Sequence, residues 1–148
     1  MNLRLLFRDL VVRFVLLVAI DQGLTYLIDR TSTTPDADIG AGLIGLAALG
    51  LTGVVGGLVD GFRRPFPHLA AAWIGAAALL GITSCVLLQL GHGPVDWSVL
   101  WSDLADLGPF LTGLVAFPAV LAGGVASLGT PTAPLSAQPP TSAGEHLR

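Results

Sequence analysis

Apolar residues fill four long runs of the chain, and the polar residues concentrate in the stretches between them. The predicted spans are residues 10–28, 39–59, 69–90 and 107–128. Each approaches the roughly 20 residues that an α-helix needs to cross a bilayer core. Charged residues make up only 11% of the 148 positions, against about 25% in a typical soluble domain. The pattern predicts an all-α integral membrane four-helix bundle.

Arginine placement predicts the orientation of these spans. Basic residues near span ends remain in the cytoplasm, and every basic residue of this chain is an arginine. Only Arg30 falls in the loops of the opposite side, so we expect both termini in the cytoplasm and the protein in a bacterial inner (plasma) membrane. The arginines that specify this side are Arg4, Arg8 and Arg13 before the first span and Arg63 and Arg64 between the second and third.

The segment before the fourth span, residues 95–107, has a helical period of its own. Apolar residues recur every three or four positions, and acidic and serine residues take the other face. Asp96 can cap the first turn. We predict a short interfacial helix on the outer leaflet, anchored by Trp97 and Trp101. It could instead act as a lid over an outward-facing cavity or as a docking face for an extracytoplasmic partner.

The C-terminal residues 129–148 contain mostly Pro, Ser, Thr and Ala and have little apolar surface to bury. This composition is typical of a disordered segment. We expect a disordered cytoplasmic tail, which serves as a spacer or as a docking peptide.

Small residues at four-residue spacing mark two of the predicted helices as contact surfaces. Residues four apart lie on one helix face, and glycine lets a second backbone approach closely. Because a short turn joins helices 2 and 3, we expect these faces to meet in an antiparallel pair, although contact between chains is an alternative. The residues are Gly53, Gly57 and Gly61 in helix 2 and Ala71 and Gly75 in helix 3.

Asp21 interrupts the apolar run LLVAIDQGLTYLI near the middle of the first span. An ionised carboxylate there costs on the order of 3 kcal/mol. The nearest arginines of the same helix, Arg13 and Arg30, are about 12 Å or more away along the axis. Depth and proximity suggest polar partners for Asp21 in Gln22, Thr25, Thr83 and Ser84, and also in Thr52 and Thr112.

Three states of Asp21 fit the sequence. The carboxyl is protonated and hydrogen-bonded between helices, or it lines a wet cavity that binds a proton or cationic solute, or its counter-ion belongs to another protein. Each state implies a different role, which is structural in the first case, transport in the second and assembly in the third.

Motifs for catalysis do not occur in the chain. There is no HExxH, Gly-x-Ser-x-Gly, P-loop or dinucleotide fingerprint, so we expect no enzyme, cofactor or metal site. The net charge of −3 argues against nucleic-acid binding. We expect an accessory or assembly subunit that acts through helix contacts in the bilayer, as a homo-oligomer or with another membrane protein. The alternative is a small oligomeric proton- or cation-coupled transporter that uses Asp21.

Overall fold

Four α-helices account for nearly all of the part of the chain that the computed structural model describes, which comprises residues 3–31, 35–91 and 94–129. No strand occurs in these ranges, so the predicted all-α class is confirmed. The predicted tail lies outside the described residues except for Gly129. The helices are α1 (Leu3–Thr31), α2 (Pro35–Gly61), α3 (Phe66–Gly91) and α4 (Trp97–Leu128).

Three helices are long and apolar enough to cross a membrane, namely Gly42–Gly61 of α2, Phe66–Gly91 of α3 and Trp97–Leu128 of α4. This is compatible with a small membrane protein. The first predicted span, residues 10–28, lies in α1 and is not among the three. α1 differs in composition, because it carries seven charged residues along its length.

The start of α4 differs from the sequence-based expectation. Asp96 caps the helix as predicted, since its Oδ1 accepts hydrogen bonds from the backbone N–H of Ser98 at 2.9 Å and of Val99 at 3.4 Å. However, the helix then continues to Leu128 without a break, whereas we expected a separate helix over residues 95–107. The physical reason is a contact with α3, in which Gln89 Nε2 donates to Asp103 Oδ2 at 3.0 Å.

The glycine ridge of α2 packs against α4, not against α3 as expected. A Cβ at Gly53 would lie 2.6 Å from the carbonyl oxygen of Val115, and side chains at Gly57 and Gly61 would collide with the backbone of Ala119 and Gly123. The contacts advance in the same direction along both helices, from Gly53 with Val115 to Gly61 with Gly123. α2 and α4 therefore run parallel. Contact between α2 and α3 is slight, because α3 packs mainly on α4 and α1.

The small residues of α3 also meet other partners than predicted. Gly75 faces α1, where a Cβ would lie 2.7 Å from a methyl carbon of Leu10. Ala71 is exposed. A third small residue, Gly81, approaches the carbonyl oxygen of Gly108 in α4, 2.7 Å from where its Cβ would be. α3 therefore lies between α1 and α4.

The core forms where these helices meet. Leu17 of α1, Leu49 of α2, Trp73 of α3 and Val115 of α4 are buried in one apolar cluster. Trp73 can reach this position because Gly56 of α2 has no side chain, and a Cβ there would collide with the indole ring.

Candidate functional site

Charged side chains from three helices converge at one end of the molecule, where α1 begins, α2 gives way to α3 and α4 ends. We call it the arginine-rich end, after Arg8, Arg13, Arg63 and Arg64. Two of its charged residues are buried among the described residues, Asp9 at 4% exposure and Arg13 at 7%. Burial of a charge requires a partner, and both residues have one.

Asp60, in the last turn of α2, accepts three hydrogen bonds on Oδ2. Arg13 of α1 donates two of them, from Nε at 3.0 Å and from Nη2 at 2.5 Å. Trp73 of α3 donates the third from its indole Nε1 at 2.9 Å. The Arg13 guanidinium also lies 5.5 Å from the centroid of the Trp73 ring, a cation–π distance. One carboxylate thus links three helices.

Asp9 is the second acceptor of this end. Its carboxylate forms an ion pair with Arg64 and lies 2.9 Å from Nε2 of His68. Its backbone carbonyl accepts a hydrogen bond from Arg13 Nη1 at 2.7 Å. Arg8 approaches Asp9 more loosely, at 3.7 Å. We refer to Asp9, Arg13, Asp60, Arg64, His68 and Trp73 as the ion-pair network.

The local sequence explains how this network assembles. Asp9 and Arg13 are four residues apart on α1, and so are Asp60 and Arg64 across the end of α2, so each pair lies on one side of its segment. The backbone N–H of Arg64 donates to the Asp60 carbonyl at 2.9 Å, which fixes the turn. In the described residues, no buried side-chain nitrogen or oxygen lacks a hydrogen-bond partner.

The sequence-based search missed this network. From the sequence, Arg13 was expected to lie too far from Asp21 for direct pairing, and Arg13 and Arg64 were interpreted as arginines that specify the cytoplasmic side. The four-residue spacings of acid and arginine were visible in the sequence. The contact between Arg13 and Asp60, 47 residues apart, depends on how α1 is rotated against α2, which spacing does not specify.

Asp21 lies further along α1, at its contact with α3. It is half-buried, and its Oδ2 accepts hydrogen bonds from Ser84 Oγ and from Gln22 Nε2, both at 3.1 Å. Thr25 instead donates to the backbone carbonyl of Asp21, at 2.9 Å. Asp21 therefore has neutral donors around it. A cavity of about 410 Å³ lies beside these residues, bounded by Leu87 and other residues of α3.

Of the other hydroxyls expected near Asp21, Thr83 is half-buried on α3 beside Ser84. Thr52 donates to the carbonyl of Ala48 in its own helix, at 2.7 Å. Thr112 donates to the carbonyl of Gly108 in α4, at 2.8 Å. Both threonines are thus engaged away from Asp21.

The side of α1 that bears Gln22 is open. Gln22, Thr25 and Tyr26 are exposed, and a Cβ placed on Gly23 would meet no atom within 4 Å. We call these four residues the polar face of α1. Trp97 and Trp101, the predicted anchors, are each 69% exposed at the start of α4.

Asp96, just before the first turn of α4, has a pKa that its helix-cap hydrogen bonds lower. A hydrogen bond from the Ser98 hydroxyl, followed by those from the backbone N–H groups of Ser98 and Val99, holds the pKa of Asp96 below its ordinary value of 3.8. The charged carboxylate is the form that caps α4.

Metal binding has little support in the geometry. Within the described ranges, no three His, Cys, Asp or Glu side chains form a group that could hold a metal ion. At the arginine-rich end, Oδ2 of Asp60 accepts hydrogen bonds from Arg13 and Trp73, and Oδ2 of Asp9 forms an ion pair with Arg64.

Comparisons with protein-family models, with curated proteins and with solved structures find no match to this chain. The functional argument therefore starts from the residues described above.

Proposed function

We propose that the chain is a multi-pass protein of a bacterial inner membrane, with four spans and both termini in the cytoplasm. α1 supplies the fourth span. It runs beside α3 from the contact of Asp9 with His68 to the contact of Asp21 with Ser84. Its 29 residues measure roughly 44 Å as a helix, more than a bilayer core of about 30 Å. The arginine-rich end then faces the cytoplasm.

Within that membrane, we propose that the protein acts without enzymatic activity, as an accessory or assembly subunit. The polar face of α1 contacts another membrane protein or a second copy of this chain. The observation that carries this proposal is the exposure of Gln22, an amide about one turn from the hydroxyl of Thr25. Gln22 Nε2 donates one hydrogen bond to Asp21 and the Thr25 hydroxyl donates to the Asp21 carbonyl. Lipid offers no partner to the second N–H and the oxygen of the Gln22 amide, whereas a partner helix can do so.

The glycine in this face supports the same reading. Gly23 follows Gln22 and lies about one turn before the exposed Tyr26. No described residue comes within 4 Å of where a Cβ of Gly23 would be. A small residue beside polar ones is the composition through which transmembrane helices associate closely. Gly53, Gly57 and Gly61 of α2, by contrast, are already covered by α4.

The test is a purification from native membrane in mild detergent, comparing wild type with Gln22→Leu and Asp21→Asn. We expect a stable complex in the wild type and a severalfold lower yield in both variants, because interhelical hydrogen bonds contribute about 0.6 kcal/mol each and at most about 1.7. Gln89→Leu is the matched control, since Gln89 is half-buried and donates to Asp103 of another helix, whereas Gln22 is exposed and donates to its own neighbour Asp21, and it should retain the complex. A wild type that elutes as a lone monomer would refute the proposal.

A second candidate is a small oligomeric transporter in which Asp21 binds a proton or a cationic solute. The cavity of about 410 Å³ beside Asp21, Gln22 and Ser84 favours it, because a carboxylate among neutral donors suits an exchangeable cation. Homo-oligomers with pH-dependent cation binding that Asp21→Asn abolishes, while Gln22→Leu retains it, would select this candidate over the assembly subunit.

A further inference from the structure

A groove opens between α1 and α2 because these two helices touch along only part of their lengths. It has a volume of about 730 Å³, within the 300–1,000 Å³ typical of ligand sites. Its walls are mainly apolar above the arginine-rich end. The apolar side chains are Val12 and Leu16 of α1 and Leu51, Val55 and Val59 of α2.

A second cavity of about 420 Å³ adjoins the groove at the arginine-rich end and shares Arg8, Asp60 and Arg64 with it. We call it the arginine cavity. Taken together, the two are lined by more guanidinium groups than carboxylates, which leaves a surplus of two positive charges when His68 is neutral. The guanidinium groups belong to Arg8, Arg13, Arg63 and Arg64, and the carboxylates to Asp9 and Asp60.

Four of these six charged groups form close ion pairs with each other, whereas the guanidinium groups of Arg8 and Arg63 are exposed. Arg13 and Arg64 pair with the two carboxylates. The Arg8 side chain is 67% exposed and comes no closer to Asp9 than 3.7 Å, and Arg63 is exposed. Two exposed guanidinium groups beside an apolar groove are complementary to an anionic amphiphile, since guanidinium binds phosphate by paired hydrogen bonds.

The length of the groove distinguishes a lipid chain from a protein helix. From Arg8 to Leu16 the α1 wall rises about 12 Å, and from Asp60 to Leu51 the α2 wall rises about 14 Å. This is close to the hydrocarbon depth of one leaflet, half of the roughly 30 Å core. A transmembrane partner helix would need the full depth.

We propose that these two cavities form a binding site for one anionic phospholipid of the leaflet at the arginine-rich end. The phosphate binds in the arginine cavity between Arg8 and Arg63, and an acyl chain lies in the groove against Leu16 and Val55. The ion pair of Arg13 with Asp60 links α1 to α2 at the closed end of the groove. The site depends on the membrane location of the protein but not on any partner of the polar face.

The headgroup half is tested by native mass spectrometry of the full chain with phosphatidylglycerol and phosphatidylcholine of identical acyl chains. We expect phosphatidylglycerol to bind about fivefold more tightly, and Arg8→Gln to remove that preference, because one arginine near a membrane surface contributes about a factor of five. Arg30→Gln removes the same charge from the other end of α1 and should leave the preference unchanged. Equal binding of both lipids, or an equal loss in Arg30→Gln, would overturn the proposal.

The acyl half is tested by Val55→Phe, which fills the groove without changing its charge. Val55 is 52% exposed, so the larger side chain should not prevent folding. We expect severalfold weaker binding of both lipids, whereas Val125→Phe, at an exposed position of α4 away from the groove, should bind as wild type does. Unchanged binding in Val55→Phe would contradict an acyl chain in the groove.

Two further outcomes count against a lipid. Millimolar glycerol phosphate that displaces phosphatidylglycerol would show that a free phosphate ester suffices and that the groove contributes nothing. A photo-crosslinker at Val55 that captures a second protein in native membranes, rather than lipid, would show that a protein segment occupies the groove. Crosslinking to lipid, with no displacement by glycerol phosphate, is the expected result. The assembly proposal is read out separately through Gln22→Leu, which should leave lipid binding unchanged.

Discussion

Asp60 and Asp21 both belong to long helices of a largely apolar chain, yet their surroundings have little in common. Asp60 accepts hydrogen bonds from two guanidinium nitrogens of Arg13 and from the Trp73 indole. Asp21 accepts hydrogen bonds from one hydroxyl and one amide. It lies about 18 Å along the axis of α1 from Asp9, which belongs to the same end of the molecule as Asp60. The first carboxylate has its counter-ion within the chain, whereas no residue that the structure describes forms an ion pair with the second.

This difference in hydrogen-bond partners distinguishes a carboxylate that stabilises the fold from one that can still bind a ligand or a partner. A mostly buried acid that is paired with a buried arginine is costly to disturb, and Oδ2 of Asp60 already accepts three hydrogen bonds. A half-buried acid with neutral partners, next to an exposed amide and beside a cavity, retains capacity for a proton, a cation or another helix. The ion-pair network is therefore best regarded as the clamp that holds α1 in place, and the Asp21 region as the part of α1 presented to the outside.

The largest expected effect comes from breaking the clamp. Asp60→Leu leaves Arg13 buried without a carboxylate and Trp73 Nε1 without its acceptor. We expect a loss of about 3 kcal/mol in the free energy of unfolding, the lower end for a broken buried ion pair, measured by titration with denaturing detergent in mixed micelles. Asp106→Leu, which removes an exposed acid of α4, should cost much less.

The double variant Arg13→Met/Asp60→Leu sharpens the same test. Replacing both members of a buried pair by apolar residues is often neutral or stabilising, so it should be more stable than Asp60→Leu alone. A double variant as unstable as the single one would show that the Trp73 hydrogen bond, rather than the ion pair, accounts for the loss.

A smaller effect is expected from Gly56→Ala, which acts on the clamp without touching a charge. A Cβ at Gly56 would collide with the Trp73 ring, so the indole must move away from Asp60. Overpacking of this kind costs about 2 kcal/mol. The shift of Trp73 can be followed by tryptophan fluorescence against Gly113→Ala, where a Cβ meets nothing within 4 Å. Unfolding curves of Gly56→Ala that overlay those of wild type would contradict the packing described here.

Asp21→Asn should have a still smaller effect on stability, about 0.6 kcal/mol, the mean for a hydrogen bond between membrane helices. Ser84→Ala should have a similar effect, since it removes the partner of the same bond. The measurement is the detergent titration used for Asp60→Leu. If Asp21→Asn destabilised the protein as much as Asp60→Leu, the two carboxylates would both be structural, and the comparison would fail.

The sequence predicted single helices better than the contacts between them. The helical class, the cap at Asp96 and the close-contact role of glycine in α2 follow from residue type and local spacing. Depth along the helix was enough to include Ser84 among the four hydroxyls of other helices expected near Asp21, but not to select it. The partner of the glycine ridge and the pairing of Arg13 with Asp60 depend on the azimuthal rotation and order of the helices. Hydropathy changes slowly around these apolar helices and carries little of that information.

The smallest expected effect concerns a third carboxylate, Asp96, which is exposed and accepts the hydrogen bonds that cap α4. Its pKa is lower in the folded protein than in the unfolded chain, where it is about 3.8. Its contribution is therefore fully present above that value and is lost as the pH falls through the lowered pKa. We expect Asp96→Ala to speed amide exchange of Val99 and Leu100 at neutral pH, and wild type and variant to converge once the pH has fallen below the lowered pKa of Asp96. Asp106→Ala, within the same helix, should show no such convergence, because its carboxylate is remote from the first turn. A difference between Asp96→Ala and wild type that persists at low pH would mean that the side chain stabilises this turn by packing rather than by its charge.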